Sequence, residues 1–265
     1  DTTQGGIKSQ MESDMLLNID GADNPRLEMT DAGVIARQTR AVEQSIEIVR
    51  RRVDPAGVKE LTIQRQGADR ILVQAPGDDD PVKLKQLIST TAKMTFHFVD
   101  ERTPPSLFKL PDAQVPPGDL QLQSKEREGG GGGLWYLIEK RVMVSGENLV
   151  DATATYQQNR PIVAFEFDSA GARKFCDATT KGVGKLFAIK LDDKIISAPV
   201  IRSSICGGNG IIEGGFTTQT AKYLALLLRA GALPATLTVI EQRSVGAELG
   251  ADSIVAGTNA SYMGL

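Results

Sequence analysis

The stretch FTTQTAKYLALLLRAGALPATLTVIEQR, residues 216–243, constrains the fold more than any other part of the chain. Thr217 or Thr218 can cap a helix whose apolar run continues to Leu228. Gly231 and Pro234 then stop that helix, and the β-branched run from Thr236 to Ile240 predicts a strand. The segment therefore reads as helix, tight turn and strand.

Upstream, Met15–Asp20 is a short apolar run suited to a strand. Asp31 can cap a helix to about Val53, with Val34, Ile35, Val42, Ile46 and Val49 on one stripe and Arg37, Arg40, Glu43, Glu47 and Arg51 opposite. Residues 61–66 and 70–75 alternate in polarity around Gly67-Ala68-Asp69, a hairpin signal. Pro81 opens a second helix with Leu84, Leu87 and Ile88 on one face. Lys93–Val99 alternates again, with Met94, Phe96 and Phe98 on one side. The order β-α-β-β-α-β is that of the ferredoxin-like split βαβ. The helix and strand of 217–242 would add to this sheet.

Residues 101–215 behave differently. Pro104, Pro105, Pro111, Pro116 and Pro117 break the chain repeatedly, and Gly129–Gly133 reads as a tether or mobile loop. Strands follow at Leu134–Val144 and Ile162–Phe167, then a helix from Ser169 and strands near 186–191 and 194–201. The expected fold class is α+β: a ferredoxin-like base from residues 1–100 and 216–265, and an inserted α+β head subdomain at 101–215. Its loop 119–133 is expected to be flexible, because polar glycine-rich sequence gains too little burial to offset ordering.

A chain of 265 residues with 41% apolar and 24% charged residues can bury a sizeable core. Its net charge of −3 gives no sequence-wide attraction to nucleic acid. Cys176 and Cys206 lack metal-ligand spacing and can be two buried thiols or one disulfide. No stretch approaches the ~20 apolar residues of a transmembrane helix, and the polar start DTTQGGIKSQ shows no signal peptide.

The residues offer little catalytic chemistry. His97 is the only histidine and lies mid-strand, where a surface or half-buried role is expected. In CGGNGIIEGG, Glu213 stands where a dinucleotide fingerprint needs its third glycine, so the stretch reads as a β-hairpin turn. In KGVGK, Thr179 and Leu186 occupy positions where a P-loop needs Gly and Ser or Thr. Asp78-Asp79-Asp80 reads as a helix cap and Asp192-Asp193 as a turn. Arg50-Arg51-Arg52 reads as a solvated helix end favoured by the dipole, or as a contact for anionic lipid. No catalytic residue, metal ligand or cofactor is expected.

Several long blocks carry a resemblance. LLLRAGALPATLTVIEQRSVGAELGADSI, AVEQSIEIVRRRVDPAGVKELTIQRQGADRILVQAPG and GKLFAIKLDDKIISAPVI, with VMVSGENLVDA and FEFDSAGARKF, resemble the SecD family in its own order over most of residues 30–257. The resemblance implies the large extracytoplasmic region of a membrane subunit of bacterial protein export, with a base near the membrane and an inserted head. ADSIVAGTNASYMGL resembles the approach to the family's second membrane span, so an excised soluble loop of an inner-membrane protein is expected, on the periplasmic face. Implied partners are SecF, the SecYEG channel and unfolded preprotein. The proton-carrying residues would lie in membrane helices outside this sequence.

As apolar residues most of Leu134, Trp135, Leu137, Ile195, Ile196, Val200 and Ile201 read as core, and client contacts are expected among them where they gather on an exposed groove of the head. Hinges are expected at Asp100, Glu101, Pro104 and Pro105 on one connection and Gly214 and Gly215 on the other. The rival expectation is a structural spacer that docks partner subunits.

Overall fold

The structure is a computed structural model that describes residues 15–20, 24–56, 61–75, 81–125 and 133–243. Asp78–Asp80, residues 126–132 of the glycine-rich loop and the terminal segment from 244 lie outside the described residues.

Strands β1 (Met15–Asp20) and β2 (Asn24–Met29) form an antiparallel hairpin. Helix α1 (Asp31–Val53) follows, capped by Thr30 rather than Asp31, since Thr30 Oγ1 accepts from the Gly33 amide at 2.9 Å. Its buried face is Ser45, Ile48, Val49, Arg52 and Val53, while Val34 and Ile35 of the expected stripe stay exposed. Strands β3 (Thr62–Gln66) and β4 (Arg70–Gln74) form the predicted hairpin, with Gly67 at φ +72° in its turn. Helix α2 (Pro81–Ser89) buries Leu87 and packs on α1.

The expected elements are present, but with an unpredicted strand β2 after β1, and β1-β2 and β3-β4 are separate two-stranded sheets. Strand β5 (Met94–Phe98) instead lies inside a four-stranded sheet ordered β12-β11-β5-β8. Its partners are β8 (Val144–Ser145) and β11 (Phe187–Leu191), both from the segment read as an insertion, and β12 (Lys194–Ser197) completes that sheet. Both faces of β5 are covered, which explains why its polar alternates Thr95 and His97 are buried too.

Strands β9 (Leu149–Gln157), β10 (Arg160–Phe167) and β13 (Asn209–Ile212) make a three-stranded antiparallel sheet. The stretch 206–215 is therefore no hairpin turn: it enters β13, which pairs with β10. Helix α3 (Ser169–Lys181) is capped by Asp168, whose carboxylate accepts from the Gly171 amide at 2.6 Å.

Helix α4 (Thr218–Ala230) has the predicted Thr217 cap, reinforced by Thr220 in a capping box. It packs on β9 through buried alanines, Ala221 and Ala225 facing the β9 side that carries Ala152. After Gly231, at φ +92°, residues 236–240 form no strand. Val239 and Ile240 are exposed and only Leu237 packs inward, so β-branched sequence here finds no sheet edge to pair with among the described residues.

The main core joins both larger sheets with α3 and α4. Phe96 sits at its centre, with ring centroids of Phe165, Phe167, Phe175 and Phe187 at 5.7, 5.7, 5.8 and 5.6 Å. Such tilted and edge-on aromatic packing adds to the burial of the rings themselves.

Candidate functional site: an apolar surface beside Trp135

The expected loop 119–133 begins as a strand. Asp119–Gln123 is β6, paired antiparallel with β7 (Trp135–Glu139). Gly133 closes this hairpin so tightly that a Cβ there would overlap the Ser124 carbonyl. The end of β6 also reaches β12, where the Lys125 amide donates to Ile195 O at 2.9 Å.

These contacts divide the expected client residues. Leu137, Ile195 and Ile201 are core: Ile195 packs with Val99, Ile138 and Ala188, and Ile201 with the main cluster. Ile196 is half-buried against the main core, and Val200 is exposed and forms an isolated antiparallel bridge with Leu186. Leu134 and Trp135 are half-buried at the open end of β7.

Next to Trp135 lies a feature the sequence reading passed over. Ser106 pairs with Trp135 through both backbone bonds, at 3.0 and 2.7 Å. Its hydroxyl accepts from the Phe108 amide at 2.9 Å and donates to the Phe108 carbonyl at 3.0 Å. The Gln121 side-chain amide donates to Leu110 O at 3.1 Å and accepts from the Leu110 amide at 2.8 Å. Lys109 pairs with Asp112 at 3.1 Å and stands 5.9 Å from the Trp135 ring centre. This frame holds Leu107 and Phe108 outward, 65% and 81% exposed. Two adjacent bulky apolar residues inside a proline-rich loop were the available signal.

The expected hinge at Asp100 is tied down. Its amide donates to Leu137 O at 2.8 Å, and its buried carboxylate accepts from the Arg102 amide at 2.9 Å and from Arg102 Nε at 2.9 and 3.0 Å. The Arg102 hydrogen bonds hold the Asp100 carboxyl down at about 2. Burial and the neighbouring Asp100 push the Asp119 carboxyl up, although Arg102 also reaches it at 3.2 Å. Glu101 faces Lys185 at 3.8 Å. Pro104 is exposed and Pro105 half-buried. On the other connection Gly215 takes φ +59°, and a Cβ on Gly214 would stand 3.0 Å from Ile196 O.

His97 is fully enclosed. Its Nδ1 faces the Glu139 carbonyl at 2.8 Å, so that nitrogen carries the proton, and Nε2 accepts from Thr95 Oγ1 at 2.8 Å. Arg52 corrects the reading of a solvated helix end: it is fully buried, while Arg50 pairs with Glu47 at 2.8 Å on the surface. Asp192 does occupy a turn, at φ +52°, and its carboxylate also accepts from the amides of Ala92 and Lys93. Cys176 and Cys206 are joined in a disulfide.

Comparison with known proteins gives two family models in sequence order. Residues 42–101 match the SecDF P1 domain, N-terminal, and residues 121–235 match the SecDF P1 head subdomain. The chain is 47% identical over 229 residues to the protein translocase subunit SecD of Rickettsia prowazekii, covering 85% of this chain and 43% of that protein. It is 48% identical over 237 residues to SecD of Rhodobacter capsulatus, covering 89% of this chain and 41% of that one. The chain thus spans about two fifths of the length of these curated relatives. A solved structure described as a membrane component SecDF that enhances protein export superposes with a TM-score of 0.62 at 28% identity, covering 87% of this chain and 98% of that one. A SecDF crystal structure in a super-membrane-facing form gives 0.63 at 31% identity, covering 85% of this chain and 31% of that one. With both parts of the P1 region matched in order and close relatives along most of its length, the chain belongs to the SecD family of protein translocase subunits.

Proposed function

We propose that this chain is the extracytoplasmic part of a Sec export subunit and takes hold of emerging unfolded preprotein. The contact surface is Leu107 and Phe108 with Leu134 and Trp135. The observation that carries this reading is the hydrogen-bonded frame around Ser106, which holds two bulky apolar side chains in water. Leaving such surface exposed is costly unless a partner covers it, and an unfolded client supplies apolar side chains without a fixed sequence. The disulfide supports placement on the periplasmic side, since such bonds persist in oxidising compartments.

In this reading residues 101–215 act as the head and the flanks 1–100 and 216–265 as a base of ferredoxin-like order, with β5 and α4 binding the two together. Because β5 shares a sheet with the head and α4 shares its core, both travel with the head, and the proton motive force, harvested elsewhere in the parent protein, swings that unit against the preceding helices and hairpins. SecF and the SecYEG channel are the docking partners.

The test is a photo-crosslinking residue at position 108 of the full-length protein, with a stalled preprotein in the channel. Crosslinks to preprotein are expected. Crosslinks only to SecF or SecYEG would replace this reading with that of a docking spacer.

A further inference from the structure

We infer that the Cys176–Cys206 bond is made and broken by thiol–disulfide exchange that enters through the sulfur of Cys206, with Cys176 as the resolving thiol. The two cysteines are chemically unequal in this fold. Cys206 is exposed, as is every residue from Arg202 to Gly207, and Gly207 beside it has no side chain to shield the sulfur. Cys176 is half-buried on α3, next to Phe175 and close to Ala178 and Thr179, all of which are buried. A thiolate must approach a disulfide along the S–S axis, from behind the sulfur it attacks. Cys206 stands in an exposed segment, whereas Cys176 is half-buried on a helix whose neighbouring residues are packed inward. Access therefore selects Cys206.

The loop is also held so that the second step is intramolecular. The Ile205 amide donates to Thr179 Oγ1 at 2.9 Å, one turn beyond Cys176. Ile201 N donates to Lys185 O at 2.9 Å, and Gly208 O accepts from Phe167 N at 2.8 Å. These single bonds keep both ends of the segment and its middle near α3 when the disulfide is open. The Cα atoms of the two cysteines lie 4.4 Å apart.

These 265 residues hold no third cysteine, so the oxidant is a disulfide outside them. The Cys206 thiolate attacks one sulfur of that donor, forming a mixed disulfide and releasing the donor's other sulfur as a thiolate. The Cys176 thiolate then attacks Cys206 Sγ, forming the internal bond and releasing the donor's first sulfur. Two electrons pass from the chain to the donor, which leaves as a dithiol, and the two protons lost by the cysteines balance those it gains. Reduction runs the same steps backwards, with the external thiol joined to Cys206.

The experiment uses the 265-residue chain with glutathione as the probe. Cys176→Ser leaves Cys206 free and Cys206→Ser leaves Cys176 free. The first variant should react with glutathione disulfide about tenfold faster than the second, because exposure governs exchange. Equal rates, or a faster Cys176, would overturn the assignment. A second measurement needs no variant. The native protein is treated briefly with reduced glutathione, quenched in acid and mapped by mass spectrometry. Glutathione on Cys206 is expected. Glutathione on Cys176, or mixed disulfide that forms only when urea unfolds the chain, would also overturn it.

Discussion

The guanidinium of Arg52 donates to the carbonyl oxygen of Gly231 at 2.9 Å, across 179 residues of chain. The same group donates to Leu87 O at 2.9 Å, to Thr91 O at 3.1 Å and to Thr90 O. Leu87 and Thr90 lie at the C-terminal end of α2, and Gly231 ends α4. Both helices end where carbonyls lack intrahelical partners and the dipole is negative, so one buried cation serves two helix ends. Burial pulls the guanidinium down to about 10, which still leaves it charged at neutral pH. This joint ties α1 and the end of α2 to the end of α4.

Removing the cation should therefore loosen both ends together. Arg52→Ala takes the guanidinium from four carbonyls, of which only Thr91 O keeps another donor, the Leu233 amide, and should cost about 3 kcal/mol, read as a lower urea midpoint. Arg52→Lys keeps the charge but cannot span four acceptors, and should cost about 2 kcal/mol. A lysine variant within about 0.5 kcal/mol of the original would show that charge alone suffices.

His97 predicts an acid-sensitive step. Burial pushes its imidazole below the ordinary 6.5, with Lys190 adding to the effect and the Glu139 carbonyl opposing it. The unfolded chain then binds the proton more readily than the folded one, so stability is full above 6.5 and falls as the pH drops below it. Urea midpoints measured between pH 7.5 and 5 should decline for the native chain. His97→Gln, which does not titrate, should flatten that decline; an unchanged slope would assign the loss to carboxylates instead.

How far the sequence could be read depended on whether a feature was local. Caps at Thr217, the turn at Gly67 and the helix start at Pro81 are decided within a few residues, and each lies where patterning placed it. The failures are tertiary. Thr236–Ile240 has strand composition, but a strand exists only where an edge accepts it. Arg52 has the sequence of a solvated helix end, and only the distant Gly231 and the Thr90–Thr91 backbone make it a core residue. Gly133 was one glycine among five until the Ser124 carbonyl showed why a side chain cannot stand there. Leu137 and Ile195 are apolar in either role, and burial rather than composition separates core from contact surface.

The disulfide closes a 30-residue separation that includes part of α3 and all of β11 and β12. Loop-closure entropy for that length predicts about 3–4 kcal/mol of stabilisation. The Cys176→Ser/Cys206→Ser double variant should unfold at a correspondingly lower urea concentration while keeping its far-ultraviolet circular dichroism. Hydrogen exchange should rise first across 202–208, where the remaining anchors are single hydrogen bonds. Uniformly faster exchange through β5 and β10 would instead make the bond a determinant of the whole core.

The last prediction separates client binding from a spacer role. Leu107 and Phe108 are exposed, so replacing both with serine removes no core packing and should shift stability by less than about 0.5 kcal/mol. If these side chains take hold of apolar segments, losing them should weaken capture of an unfolded client by about tenfold, equivalent to about 1.4 kcal/mol. Ser106→Ala tests the frame and leaves both apolar residues in place. It removes the hydroxyl that holds the Phe108 amide and carbonyl, so Phe108 becomes free to turn toward Trp135. Binding in this variant should fall part of the way, since the side chains remain but their outward presentation is lost. The readout is crosslinking yield to a stalled preprotein from a probe at Leu134, on the same surface and unchanged in both variants, compared with the same probe in the native background. Full yield in the double serine variant would contradict the client surface, and full yield in Ser106→Ala would contradict the claim that the frame is what makes it effective.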